Sequence, residues 1–440
     1  MGVRRQLLAL VAGVGVALGS IVAFSATGEA AVACSSVTWT EGPTYTVGQQ
    51  VTYQSKLYQA LVTHTAYVGT GWNPAATPTL WKDLGACTGG GTPTPSVTTS
   101  KTPTPSPTVS TPTPTPTTST PPPTGCATRG RPAGKVLQGY WENWDGASNG
   151  VHPGLGWIPI NDSRITQHGY NVLMAAFPVI RSDGTVLWEN GMDAGVKVPT
   201  AAEICAAKAQ GATILMSIGG AAAGIDLSSS TVADRFVSTI VPILKANNFD
   251  GIDIDIETGL SGSGSINTLS ASQSNLIRII DGVLAAMPSN FGLTMAPETA
   301  YVTGGSVTYG SIWGSYLPII KKYLDNGRLW WLNMQYYNGS MYGCSGDSYS
   351  AGTVQGFTVQ TQCLNNGLTI QGTTIRIPYD KQVPGLPAQS GAGGGYMAPS
   401  LVSQAYNSVP SIKGLMTWSI NWDGSKSWTF GDNVKALQGR

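Results

Sequence analysis

The sequence predicts two folded parts: a large α/β domain of the (β/α)8 TIM barrel class and, ahead of it, a small all-β module. Three observations carry this. Beyond Cys126, apolar β-type runs alternate with helix-compatible stretches to the end of the chain, the pattern of a parallel sheet with crossover helices. One of those runs, Asp250 to Glu257, alternates isoleucine with carboxylate. A tract of threonine, proline and serine at residues 89–124 has nothing from which to build a core and cuts the chain into unequal pieces.

At 440 residues the chain exceeds one ordinary domain and has room for a barrel-sized core plus a smaller unit. The β-type runs of the large part are Val136 to Trp141, Asn171 to Phe177, Ala212 to Ile218, Gly251 to Glu257, Gly292 to Pro297, Trp331 to Tyr337, Ile375 to Pro378 and Gly414 to Ile420. Between them, Ala201 to Ala209, Val232 to Ala246, Ser272 to Ala286 and Ser400 to Asn407 have helical pattern and length. A barrel of this kind builds its active site at the carboxyl ends of its strands, which is where Glu257 falls within the fourth run. The domain plan is therefore a leader at 1–33, a β module at 34–88, a stalk at 89–124 and the barrel at 125–440. In polyproline II geometry the stalk reaches about 100 Å.

Residues 1–33 read as a secretory signal peptide. Arg4 and Arg5 precede an apolar run from Leu7 to Phe24, and small residues follow through Ala31-Val32-Ala33. A membrane anchor competes with this reading, but glycines interrupt the run and an Ala-x-Ala site follows it. Lipid attachment at Cys34 and the twin-arginine route are further alternatives; Ala31 is a poor start for the former, and the arginine pair does not decide the latter. The expected location is extracellular, with no membrane attachment after signal removal.

Six cysteines in an exported chain, with no CxxC spacing and three histidines, point to disulfides rather than a metal site. Cys34 and Cys87 bracket the small module, and a bridge there would contribute about 4 kcal/mol. For Cys126, Cys205, Cys344 and Cys363 three pairings are open. Cys344 with Cys363 is favoured because both lie in one loop-like segment.

Lysine plus arginine (24) nearly balance aspartate plus glutamate (23), which removes the electrostatic footprint of a nucleic-acid or anionic-membrane binder. A neutral substrate fits. Charged residues make up 11% of a chain holding 13 tryptophans and 17 tyrosines, a composition suited to meeting sugars. In the small module, Gln50 to Tyr53 and Lys56 to Ala60 flank a Gln-Ser turn as in a hairpin. Its aromatics, Trp39, Tyr45, Tyr53, Tyr58, Tyr67, Trp72 and Trp81, exceed what so small a core can bury. On Trp39, Val51-Thr52-Tyr53, Leu57-Tyr58-Gln59-Ala60 and Gly71-Trp72-Asn73-Pro74 through Leu80-Trp81, the module resembles the family 5/12 chitin-binding modules. That resemblance implies an exposed Trp72 lying on polysaccharide, with Tyr67 a second contact, while Trp39, Tyr58 and Trp81 pack inside. Burial of Trp72 in the core is the competing reading.

As a strand, Asp250 to Glu257 turns Asp253, Asp255 and Glu257 to one face and the isoleucines to the other, while Asp250 shares the isoleucines' side. Unpaired buried carboxylates cost several kcal/mol, so ordinary packing does not account for the row. Crowded carboxylates cannot all ionise, so a proton is retained near the barrel mouth, where Glu257 is placed to act as a general acid. A calcium site competes, but the loop spacing and its glycine are missing. A purely structural acid network is the other alternative.

The row matches the DxxDxDxE signature of the family 18 glycoside hydrolases throughout, and the large domain resembles that family at other strand ends. These are Gly139-Tyr140-Trp141, Ser217-Ile218-Gly219-Gly220, Met295-Ala296-Pro297-Glu298, Gln335-Tyr336-Tyr337-Asn338 and Trp418. The resemblance implies a secreted, monomeric, cofactor-free chitinase acting on chitin and N-acetylglucosamine oligosaccharides with retention and assistance from the substrate itself. By the same resemblance Glu257 protonates the leaving oxygen, Asp255 holds the acetamido N–H, Asp253 shares a proton with Asp255, and Tyr337 holds the acetamido carbonyl. Tyr140 and Ser217 support Asp253; Met295, Gln335, Asn338 and Trp418 bind substrate, Trp418 as the floor beneath the reacting sugar. Asn338 and Gln335 depart from the commonest residues there, aspartate and methionine, which puts the pH profile in question. Few residues separate the seventh run from Ile412, which leaves no room there for a cleft-walling insertion and favours cutting within chains. Alternatives are an endo-β-N-acetylglucosaminidase acting on glycoprotein glycans, a barrel that only binds sugar, and a cell-wall structural protein.

Overall fold

The computed structural model describes residues 32–34, 37–40, 43–61, 64–66, 73–75, 81–88, 125–144, 155–221 and 224–440. The chain divides into two compact units at the Val109–Ser110 boundary. In the first, Gln50–Tyr53 and Lys56–Ala60 form the expected antiparallel hairpin, and Trp81–Thr88 pairs with its second strand. Gln54 and Ser55 both take positive φ, as a tight two-residue hairpin turn demands. Tyr45, Tyr58 and Trp81 are buried, with Trp39 partly buried against them, and Cys34–Cys87 closes the unit. Trp72 and Tyr67 lie outside the described residues. No helix among the described residues is long and apolar enough to cross a membrane.

The second unit is the barrel. Its parallel strands are β1 (Val136–Glu142), β2 (Val172–Ala176), β3 (Thr213–Gly219), β4 (Gly251–Asp255), β5 (Gly292–Met295), β6 (Trp331–Leu332), β7 (Gly385–Pro387) and β8 (Gly414–Trp418). The ladder runs β6-β5-β4-β3-β2-β1-β8-β7. Parallel bridges Leu332 to Gln382 and Gln335 to Gly385 close it. Helices at Ala201–Ala209, Ser230–Ala246, Ala271–Ala286 and Pro399–Ser408 confirm the helical readings, two of them opened by capping boxes, Thr200 with Glu203 and Ser270 with Gln273. Leucine and isoleucine from the outward strand faces fill the layer between sheet and helices.

Two expectations need correction. The seventh barrel strand is Gly385–Pro387, and Ile375 instead ends a two-stranded hairpin, Leu368–Ile370 with Thr373–Ile375. Its short apolar run satisfied the strand pattern, but the hairpin packs outside the closed sheet, where Gln371 at its turn holds Ile266 N and Gly264 O. The barrel's extra structure sits between β6 and β7, where a hairpin (Ser340–Tyr342 with Ser348–Ser350) and the helix Val354–Asn366 are joined by Cys344–Cys363. Glu257 also lies beyond the end of β4, which stops at Asp255.

Asp250 holds the amino-terminal end of β4. Its side chain is fully buried, accepts from Arg129 N at 2.6 Å and Ile214 N at 2.9 Å, and pairs at 2.6 Å with the buried Lys208 ammonium. Lys208 closes the helix that Cys205 ties to Cys126, so β4, that helix and the segment entering the barrel form one knot. Removing one partner of a buried pair strands the other charge, so Lys208→Met should destabilise the barrel by about 3–5 kcal/mol. The drop in urea midpoint at unchanged slope would measure this; a loss below about 1 kcal/mol would mean the backbone donors alone hold Asp250.

Candidate active site

The inward side chains of β4 form the expected ladder, and neighbouring strands reach each rung. Asp253, fully buried, accepts from Tyr140 OH at 2.7 Å (β1), Ser217 Oγ at 2.7 Å (β3), Thr294 Oγ1 at 2.6 Å (β5) and Asn333 Nδ2 at 3.1 Å, just past β6. Tyr140 and Ser217 were legible in the sequence; Thr294 and Asn333 were missed. Inward parity along β5 and through Trp331, Asn333, Gln335 and Tyr337 would have found both. Burial raises the Asp253 carboxyl while these donors oppose the rise. Both Asp253 oxygens are thus occupied by these four donors, which favour its ionised form against the effect of burial.

Asp255 is in the opposite condition. Burial pushes its carboxyl well above the usual range, and the charges of Glu257 and Asp253 push it further. Its Oδ1 accepts from Gln335 Nε2 at 3.0 Å, and the same amide nitrogen donates to Glu257 Oε1 at 2.9 Å. Gln335, expected as a substrate contact, thus joins the two acids nearest the mouth. Burial also raises Glu257, against the opposing effect of that bond. Burial raises all three carboxyls of the ladder, and repulsion from its two neighbours raises Asp255 further.

The rest of the mouth sorts by strand parity. Tyr337 is buried beside the acids, and burial together with Asp255 and Glu257 keeps its hydroxyl protonated as a donor. Trp418, half-buried, packs 5.5 Å from the Tyr140 ring. Two rings that sequence reading missed extend that wall: Phe177 lies 6.1 Å from Trp418 and Trp144 6.0 Å from Phe177, nearly parallel in both cases. Met295 is a correction. It is fully buried in the layer between sheet and helices, in one cluster with Leu293 and Ile320, because alternation turns Thr294 and Ala296 inward instead. Asn338 is exposed at φ 61°; its Oδ1 accepts from Gly394 N at 2.7 Å and its N donates to Gly394 O at 2.8 Å, clasping the loop after β7.

At β3 and β4 the backbones come close. Gly219 has φ 111°, and a Cβ there would meet Asp255 O at 2.1 Å, so this position admits glycine alone. Gly220 N donates to Asp255 O at 2.7 Å, the ladder bond beneath Glu257. Among the described residues no group of histidine, cysteine, aspartate or glutamate is arranged to hold a metal.

Beyond β5, Glu298 adds a half-buried carboxylate whose own pKa is raised by burial and by Glu257. Glu298 also pushes up Asp255, which repels Glu257 in turn. Glu298→Gln removes the Glu298 charge, eases ionisation of the pair and should move the alkaline limb of kcat/KM to lower pH. An unmoved limb would show that solvent screens the pair.

An eight-stranded barrel with a buried acid ladder opening at its carboxyl end is the arrangement of a glycoside hydrolase. Residues 136–340 match the model for glycosyl hydrolases family 18, and residues 38–82 match carbohydrate-binding module family 5/12. The chain is 82% identical over 309 residues to Endochitinase 37 of Trichoderma harzianum, covering 70% of this chain and 92% of that one. It is 30% identical over 480 residues to Chitinase Chi52 of Paenibacillus xylanexedens, covering 88% of each. Among solved structures, a family GH18 chitinase from Chromobacterium violaceum aligns with TM-score 0.59 and 29% identity, over 93% of this chain and 100% of that one. The chain belongs to glycosyl hydrolase family 18.

Proposed function

We infer that this protein is an endo-acting chitinase that hydrolyses β-1,4-linked N-acetylglucosamine polymers, with Glu257 as general acid and then base. The observation that carries the reading is the graded acid ladder, with Asp253 locked by its donors, Asp255 raised well above the usual range and Glu257 half-buried at the mouth. Glu257 would protonate the leaving oxygen while the 2-acetamido carbonyl of the same sugar attacks its anomeric carbon, forming an oxazolinium ion. Water then opens the ring, and Glu257 takes that water's proton. Asp255 suits the acetamido N–H and Tyr337 the acetamido oxygen, while Trp418 offers a flat floor to the distorted ring.

The high identity to a protein named an endochitinase supports cutting within chains. The carbohydrate-binding module fits an insoluble polymer, with Trp72 and Tyr67 as its contacts. We read the enzyme as a secreted monomer, with the signal peptide, stalk and barrel bounds drawn from the sequence.

Glu257→Gln should lower kcat/KM on N-acetylglucosamine oligosaccharides by roughly 10²–10⁴-fold with little change in KM. Near-normal turnover would remove Glu257 from the acid role. Trp72→Ala should weaken adsorption to insoluble chitin several-fold and leave hydrolysis of short soluble oligomers unchanged; parallel loss of both would contradict separate modules.

A further inference from the structure

The catalytic acid stands past the end of its strand, where the sheet no longer holds the backbone. The last ladder bonds around β4 are Ala296 N to Ile254 O at 2.9 Å and Gly220 N to Asp255 O at 2.7 Å. Beyond them Ile256 is nevertheless buried, and buried backbone groups must find partners. A single hydroxyl satisfies both: Tyr316 OH accepts from Ile256 N at 3.1 Å and donates to Ile256 O at 2.8 Å. The next carbonyl, that of Glu257 itself, accepts from Tyr301 OH at 2.5 Å.

These tyrosines are held as a pair. Both are buried, their rings meet edge to face at 5.9 Å and 90°, and Tyr316 N donates to Tyr301 O at 3.0 Å. Gly314 N to Ala300 O at 3.0 Å adds a second bond across the same turn. Tyr301 ends the short helix Thr299–Tyr301 after β5, and Tyr316 precedes the helix Leu317–Asp325. The segment between β5 and its following helix therefore replaces the missing ladder with two phenolic hydroxyls.

We propose that Tyr301 and Tyr316 are positioning residues for Glu257, extending β4 by two residues so that the acid is rigid at the mouth. The proposal rests on the reading of Glu257 as general acid. Neither tyrosine reaches the reacting atoms; each acts through the backbone that carries the acid. A displacement of about 1 Å at a reacting group costs on the order of 10²-fold in rate. The loss should fall on steps that need the proton.

The test compares two leaving groups on the full-length enzyme. Tyr301→Phe and Tyr316→Phe keep the ring and remove only the hydroxyl. Kinetics would be run well below each variant's melting temperature, with wild type and Glu257→Gln in parallel. On an N-acetylglucosamine tetramer, whose leaving alcohol needs protonation, kcat/KM should fall about 10- to 100-fold, with KM within about threefold of wild type. On a nitrophenyl glycoside of the dimer, whose leaving group departs without a proton, the fall should be under about threefold. Equal losses on both substrates, or none on either, would overturn the proposal and leave the hydroxyls a stability role. Tyr301→Phe, which breaks one bond and leaves Ile256 satisfied, carries the test if Tyr316→Phe does not fold. If Glu257→Gln itself matches wild type on the tetramer, the acid assignment fails, a result distinct from failure of the positioning role.

Discussion

The rest of the barrel depends on one buried carboxyl group, that of Asp253. Asp253 sits in the sealed interior, where a carboxylate without partners would cost several kcal/mol, and hydrogen bonds from β1, β3, β5 and the residue after β6 meet that cost. Those donors come from four neighbouring positions around the barrel, so the stagger that brings them to one point is set by the same closure that forms the barrel. Asp253 is thereby fixed beneath the site, and its carboxylate raises Asp255 above it.

Above it, burial declines rung by rung toward the mouth, and polar partners change with it. Asp253 is bound on both oxygens, Asp255 receives one amide from Gln335, and Glu257 shares that amide while half open to solvent. The gradient gives each acid a different environment, which is how neighbouring carboxyls come to play different parts in acid catalysis. Charge repulsion links the titration of the two upper acids, and the Gln335 amide eases it by donating to both.

Stability and chemistry are built at opposite ends of the same strand. At the amino end of β4, Asp250 binds Lys208, and the Cys126–Cys205 bridge ties the entering chain to the same helix. At the carboxyl end, Tyr301 and Tyr316 take over from the sheet. The small module is stapled separately by Cys34–Cys87 around its own aromatic core, so each unit carries its own means of holding together.

Period-two alternation determined much of this from the sequence alone. It placed Asp253, Asp255 and Glu257 on one face and set Asp250 apart, because side-chain direction along a strand is a local property. Local too were the Gln-Ser turn and seven of the barrel strands. Tertiary structure decided what depends on residues distant in sequence meeting: Thr294 and Asn333 on Asp253, Gln335 between two acids, and the Phe177 and Trp144 rings beside Trp418. It also moved the seventh strand from Ile375 to Gly385 and turned Met295 away from the mouth. A short apolar run looks the same whether it closes a sheet or packs outside one, and the partner that distinguishes them lies elsewhere in the chain.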